Sequence, residues 1–118
     1  MRKASVTVIN NLDASISQVS STVQISQIFN ASLQAIVTGL SSGSLQVQVS
    51  NDPPAIAMNE GTPKPVNWTD FGSPLAVSGA GTYLMPQFDL CYMYMQVVYT
   101  SNNGSAGTIM VNAAIAGV

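Results

Sequence analysis

Leu45-Gln46-Val47-Gln48-Val49-Ser50 alternates apolar and polar side chains without a break. Successive side chains of an extended strand point to opposite faces, so this run has one face for a core and one for solvent. The same period recurs along most of the chain. Ser5-Val6-Thr7-Val8-Ile9 reads as a first strand. Ile16 to Ile25 is less regular and reads as strand with a bend, with a short helical turn near Gln27-Ile28-Phe29 as the alternative. Leu33 to Thr38 alternates again, and Gly39 to Gly43 reads as a turn, so runs 33–38 and 45–49 are expected to pair as a hairpin. Val66 to Asp70 and Ser73 to Val77 read as two short strands. Ser78-Gly79-Ala80-Gly81 reads as a turn and Thr82 to Met85 as a strand ended by Pro86. Tyr92 to Thr100 is a long strand, with Met93, Met95, Val97 and Tyr99 on one face and Tyr92, Tyr94, Gln96 and Val98 on the other. Ser101-Asn102-Asn103-Gly104 turns it back, Asn-Gly being a strong hairpin signal, into a closing strand from Thr108 to Ile115.

About eight antiparallel strands with turns at regular spacing predict an all-β chain, a single β-sandwich or jelly roll over residues 1–118. Residues 1–30 have the least regular patterning. They are read either as part of the sandwich or as an arm contacting a neighbour. Asn51 to Pro65 interrupts the pattern with Pro53, Pro54, Gly61, Pro63 and Pro65. Proline and glycine at this density break strand ladders, which makes the segment a long surface loop. Loops of this length in compact domains are often functional.

Chemistry is bounded by what the chain lacks. Three Lys or Arg and five Asp or Glu make 7% of its 118 residues, against roughly 25% in ordinary domains. There is no histidine and one cysteine. General acid–base work loses its commonest agent, a Ser-His-Asp triad is impossible, and zinc-site spacing is missing. The carboxylates Asp13, Asp52, Glu60, Asp70 and Asp89 are scattered, with no adjacent pair of the kind glycoside hydrolysis uses. No enzyme activity and no cofactor are expected. Asn51, Asp52 and Glu60 offer hard oxygen ligands, which leaves a calcium ion at the loop open against plain solvated turn residues. Only Arg2, Lys3 and Lys64 are basic, too few to displace the counterions of a duplex, so nucleic acid is not an expected partner. No stretch approaches the ~20 apolar residues of a membrane span. The run after Arg2-Lys3 soon turns polar, unlike the apolar core of a signal peptide. Cys91, in the apolar run Leu90-Cys91-Tyr92-Met93, is expected to be a buried small hydrophobe.

Several segments together carry a resemblance. Ser44-Leu45-Gln46-Val47-Gln48-Val49-Ser50-Asn51-Asp52 is followed by Asn67-Trp68-Thr69-Asp70 and by Val77-Ser78-Gly79-Ala80-Gly81-Thr82-Tyr83. Then come Asp89 to Thr100 and Gly107-Thr108-Ile109-Met110-Val111-Asn112. From Leu33 onward this order resembles the small β-sandwich virion structural proteins of bacteriophages. There, elements of the form QxSNDG…NWTD, SGAGTY and YRWVRVVYT…SGTGTI recur. The chain departs from that pattern in the proline-bearing loop 53–65. It also has Met93, Met95 and Gln96 where the penultimate strand is usually basic.

The resemblance implies a virion component, such as a capsid decoration protein or a spike or fibre base, made in the cytoplasm of a bacterial host. Its expected partners are other virion proteins, the major capsid protein first, and copies of itself, with a trimer favoured. A chain so poor in charge lacks the mixed-sign surface that keeps monomers apart, which fits that reading. Tyr92, Tyr94, Met95, Val8 and Ile9 are the candidate subunit-interface residues. The alternative is a carbohydrate- or receptor-binding head of a phage fibre, with Trp68, Tyr83 and loop residues Asn59 to Lys64 around a groove.

Overall fold

In the computed structural model, residues 2–14, 16–25, 28–39, 42–53, 58–59, 62–63, 65–89, 91–102 and 107–117 are described. The alternating runs become the long strands β1 (Arg2–Asp13), β4 (Ile28–Gly39), β5 (Ser42–Ser50), β8 (Thr69–Ser78), β9 (Gly81–Asp89), β10 (Tyr94–Ser101) and β11 (Gly107–Gly117). Short pieces complete them: β2 (Gln18–Val19), β3 (Val23–Gln24), β6 (Met58–Asn59) and β7 (Thr62–Pro63). One antiparallel sheet runs β1-β11-β4-β9. The other runs β2-β10-β5-β8, with β3 also paired to β10. Leu33, Ala35 and Val37 of β4 and Ile109, Val111 and Ala113 of β11 line the inner face of the first sheet. Leu45, Val47 and Val49 of β5 and Met95, Val97 and Tyr99 of β10 line that of the second. All twelve are buried, and each large aliphatic side chain so removed from water contributes about 1.5–3 kcal/mol.

β2 and β3 act as one bent strand. Across the bend, Ser20 keeps the ladder to β10. Its N–H donates to the Val97 carbonyl at 2.8 Å, and its hydroxyl accepts from the Val97 N–H at 2.7 Å. With that strand counted once, eight strands cross between two four-stranded sheets in the order of a jelly roll. The described part of residues 1–30 folds with the sandwich, since β1 pairs along β11 and β2 and β3 pair with β10.

The expected hairpin of runs 33–38 and 45–49 does not form. β4 and β5 lie in opposite sheets, as do β10 and β11 around Ser101-Asn102 and β8 and β9 around Ser78 to Gly81. Alternation requires one buried face and a turn requires reversal. A strand that crosses the core satisfies both as well as one that pairs alongside. The runs 66–70 and 73–77 are one strand, β8, bulged around Gly72 at φ 72°, where its register against β5 slips between Leu45 and Val47. β9 continues past Pro86 to Asp89 with a slip opposite β4, tolerated because β9 is a sheet edge. Ile28-Phe29 begins β4 rather than a helical turn, and Gln27 lies outside the described residues. Inside the proline-rich loop, β6 and β7 pair as a two-residue ladder.

Gly43 is buried where β5 meets the end of β10. A Cβ there would collide with the Thr100 carbonyl oxygen and press on the Tyr99 ring. Gly43→Ala is expected to cost about 1–3 kcal/mol and Leu45→Ala about 2–5 kcal/mol. Gln34→Ala, on the exposed face of β4, should stay within about 0.5 kcal/mol. Urea unfolding midpoints check this order, and an unchanged midpoint for Leu45→Ala would contradict the packing described.

Candidate functional site

The segment between β5 and β8 is closed at its base by one carboxylate. Asp52 Oδ2 accepts the backbone N–H groups of Val66 and Asn67 at 2.8 and 3.0 Å, and Oδ1 accepts the Asn67 side-chain amide at 2.8 Å. The Asp52 N–H donates to Ser50 Oγ at 3.1 Å. Asp52 is buried, with 6% of its surface exposed. The Asn67 side-chain amide foremost, then the backbone N–H groups, hold its carboxyl below the ordinary 3.8, against the opposing pull of burial. Beside it, Asn51 Oδ1 accepts the Met93 N–H at 3.1 Å, and Trp68 Nε1 donates to the Pro65 carbonyl at 3.0 Å.

These contacts frame a groove of about 430 Å³. Val49, Ser50 and Asp52 are its buried residues, and Asn51, Asn67, Thr69 and Asp70 its exposed polar ones. Phe71 and Tyr92, both half-buried, supply its aromatic side. Their rings meet edge to face at 5.6 Å between centroids, and Phe88 packs against Phe71 from the core side. Asp70 is held from the sheet, because Gln96 Nε2 donates to Gln48 Oε1 at 2.7 Å and Gln48 Nε2 donates to Asp70 Oδ1 at 3.0 Å. Ser50-Asn51-Asp52 and Asn67-Trp68-Thr69-Asp70, far apart in sequence, thus converge on one groove.

A second feature is the outer face of the β1-β11-β4-β9 sheet. Two rows cross its middle in register: Thr7, Asn112, Gln34 and Leu84, then Met110, Ile36 and Thr82. None carries a charge. Leu84 is 63% exposed and Ile36 37%. Between the first row and the neighbouring Ser5, Ser32 and Ala114 lies a shallow hollow of about 240 Å³.

The residues singled out from sequence are dispersed. Val8, Ile9 and Met95 are buried in the core of the chain itself. Tyr94 is fully buried too. These four therefore present no surface to a neighbour: Val8, Ile9 and Met95 serve the sandwich core, while Tyr94 is covered on the opposite face of β10. Tyr92 is half-buried and lines the groove. Trp68 and Tyr83 are not brought together, since Trp68 precedes the start of β8 and Tyr83 packs at its far end. The Tyr83 hydroxyl donates toward the Ser78 and Gly79 carbonyls, both at 2.9 Å, and so serves the β8–β9 turn. Cys91 is exposed, not buried, because it sits in the bend before β10 and outside the alternation. Glu60, Lys64 and the side chain of Asn59 lie outside the described residues. Among the described residues no three metal-binding side chains cluster, and the oxygens of Asp52 are committed to the loop. Asp52 and Asp70 do share the groove. The acid of a hydrolytic pair has a raised pKa, and that of Asp52 is lowered, so Asp52 is not such an acid.

The carboxylate of Asp52 stabilises the loop base fully above its unfolded-state pKa, and that contribution is lost as pH falls through the lower folded-state value. Protection of the Val66 and Asn67 amides, relative to their intrinsic exchange rates, is expected to fall below about pH 4 and to be lost at neutral pH in Asp52→Ala. Exchange that ignores both changes would contradict the clip.

No protein-family model matches the chain, and no curated protein sequence does. Among solved structures, the SPBc2 prophage-derived protein YomS superposes with a TM-score of 0.53 at 13% identity, covering 97% of this chain and 92% of that one. PirA superposes with a TM-score of 0.54 at 18% identity, covering 97% and 93%. At these identities the likeness is one of fold: a small β-sandwich, matched nearly end to end.

Proposed function

We propose that the chain is a virion structural protein of a bacteriophage, a jelly-roll module that packs against copies of itself and against other virion proteins. The observation that carries this reading is the uncharged middle of the outer face of the β1-β11-β4-β9 sheet, with Leu84 and Ile36 exposed among amides and hydroxyls. Such a face can be buried without the desolvation cost of charges, and its Gln, Asn and Thr side chains can exchange water for a neighbour's groups. Repetition by symmetry multiplies a modest contact. The sequence elements from Leu33 onward support the phage setting. So do the fold shared with a prophage-derived protein and the recurrence of jelly rolls in viral capsids. A capsid decoration protein or a spike or fibre base, docked on the major capsid protein after synthesis in the host cytoplasm, is the form this role takes here. The module has no catalytic role in this reading.

The contact surface differs from the residues first singled out. Leu84 and Ile36, both beside Gln34, take the place of the buried Val8, Ile9, Tyr94 and Met95. Native mass across a dilution series is expected to show a closed oligomer, a trimer first, for the unaltered chain. Leu84→Asp should weaken it at least tenfold in concentration while leaving the unfolding midpoint within about 0.5 kcal/mol. A monomer at every concentration, or an oligomer indifferent to Leu84→Asp, would contradict this assignment of the face.

A further inference from the structure

The groove beside Asp52 is built in a way that sheet packing does not require. Each of three polar side chains around it has one end pinned by an internal hydrogen bond. Asn51 uses its amide oxygen on the Met93 N–H, which leaves its NH2 group as a donor. Asn67 uses its NH2 group on Asp52, which leaves its oxygen as an acceptor. Asp70 uses Oδ1 on Gln48, which leaves Oδ2 as an acceptor. The Thr69 hydroxyl, which can donate or accept, stands in the same lining, and Tyr92 adds an aromatic ring. Side chains held this way lose little freedom when a ligand arrives.

The chemistry of the lining selects the ligand. Among the described lining residues there is no Lys or Arg and there are two carboxylates, which disfavours a phosphate, sulfate or carboxylate. A metal ion would need the oxygens of Asp52, which already accept three hydrogen bonds. What fits a mixed set of fixed donors and acceptors beside an aromatic ring is a neutral ring with hydroxyls around its rim and an apolar C–H face. The volume, about 430 Å³, lies in the range of small-molecule sites. We propose that this groove binds a neutral saccharide, with Asn51, Asn67 and Asp70 hydrogen-bonded to its hydroxyls and Tyr92 against its C–H face. This binding is independent of the sheet-face contact, which lies on the other sheet.

The test is a titration of the ¹⁵N-labelled full chain, observed by two-dimensional amide NMR, with maltose, cellobiose, lactose, mannobiose and N,N′-diacetylchitobiose at millimolar concentrations. At least one is expected to shift the Asn51 and Asn67 side-chain amide signals saturably. Asp70→Ala, at an exposed position, should weaken that response about tenfold or more. Tyr92→Ala should do the same, with its backbone spectrum confirming the fold. Inorganic phosphate and calcium chloride should leave those signals in place. Silence across the whole saccharide panel would overturn the proposal. So would a response unchanged in Asp70→Ala, or one reproduced by phosphate or calcium alone.

Discussion

The structure depends on closing two sheets over one shared layer of side chains. Leu45, Val47, Val49, Met95, Val97 and Tyr99 meet Leu33, Ala35, Val37, Ile109, Val111 and Ala113 there, with almost no exposed surface. Every other feature is arranged around that layer. The Tyr99 hydroxyl, carried into it, donates to the Ala14 carbonyl at 2.9 Å and so fixes the end of β1. Ser20 supplies by its side chain the pairing that a bent strand would otherwise lose. Both satisfy buried polar groups that would each cost about 1–3 kcal/mol if left alone.

Because the inner faces absorb most of the aliphatic residues, the outer faces carry mainly amides and hydroxyls, with Leu84 and Ile36 among them. On one sheet Gln96, Gln48 and Asp70 form a chain of hydrogen bonds that ends at the groove. On the other, Thr7 and Asn112 are joined at 2.8 Å and Thr38 and Thr108 at 2.7 Å. Side chains already tied to one another make flat, stiff surfaces with little rotamer freedom left to lose, which suits lateral packing. The two sheets thereby divide the labour: one outer face is suited to neighbours, while the end of the other sheet carries a concave site.

Much of this was legible in the residues. Strict alternation at Leu45 to Ser50 identified a strand with one buried face, and the regular spacing of turns identified a sandwich. Alternation is blind to which strand lies alongside, so the crossings at 39–42 and 78–81 read as hairpins or plain turns. It is also blind to whether an apolar face meets the chain's own second sheet or another subunit, which is why Val8, Ile9 and Met95 looked like contact residues. The groove was hidden for a different reason. Its residues sit at strand ends and in an irregular segment, where no period exists, and only the pairing of β5 with β8 brings Asn51 and Asp52 to Asn67 and Asp70. The one available signal was that Ser50-Asn51-Asp52 and Asn67-Trp68-Thr69-Asp70 were among the segments singled out together in the sequence.

The proposed role requires that this jelly roll be built into a particle through the uncharged middle of its β1-β11-β4-β9 sheet. A cryo-electron microscopy map of purified phage particles carrying this chain tests that directly. Density for the sandwich is expected in symmetric copies, with Leu84 and Ile36 turned into a contact with a neighbouring subunit. Particles that lack the chain, or that hold it with the β1-β11-β4-β9 face open to solvent, would contradict it.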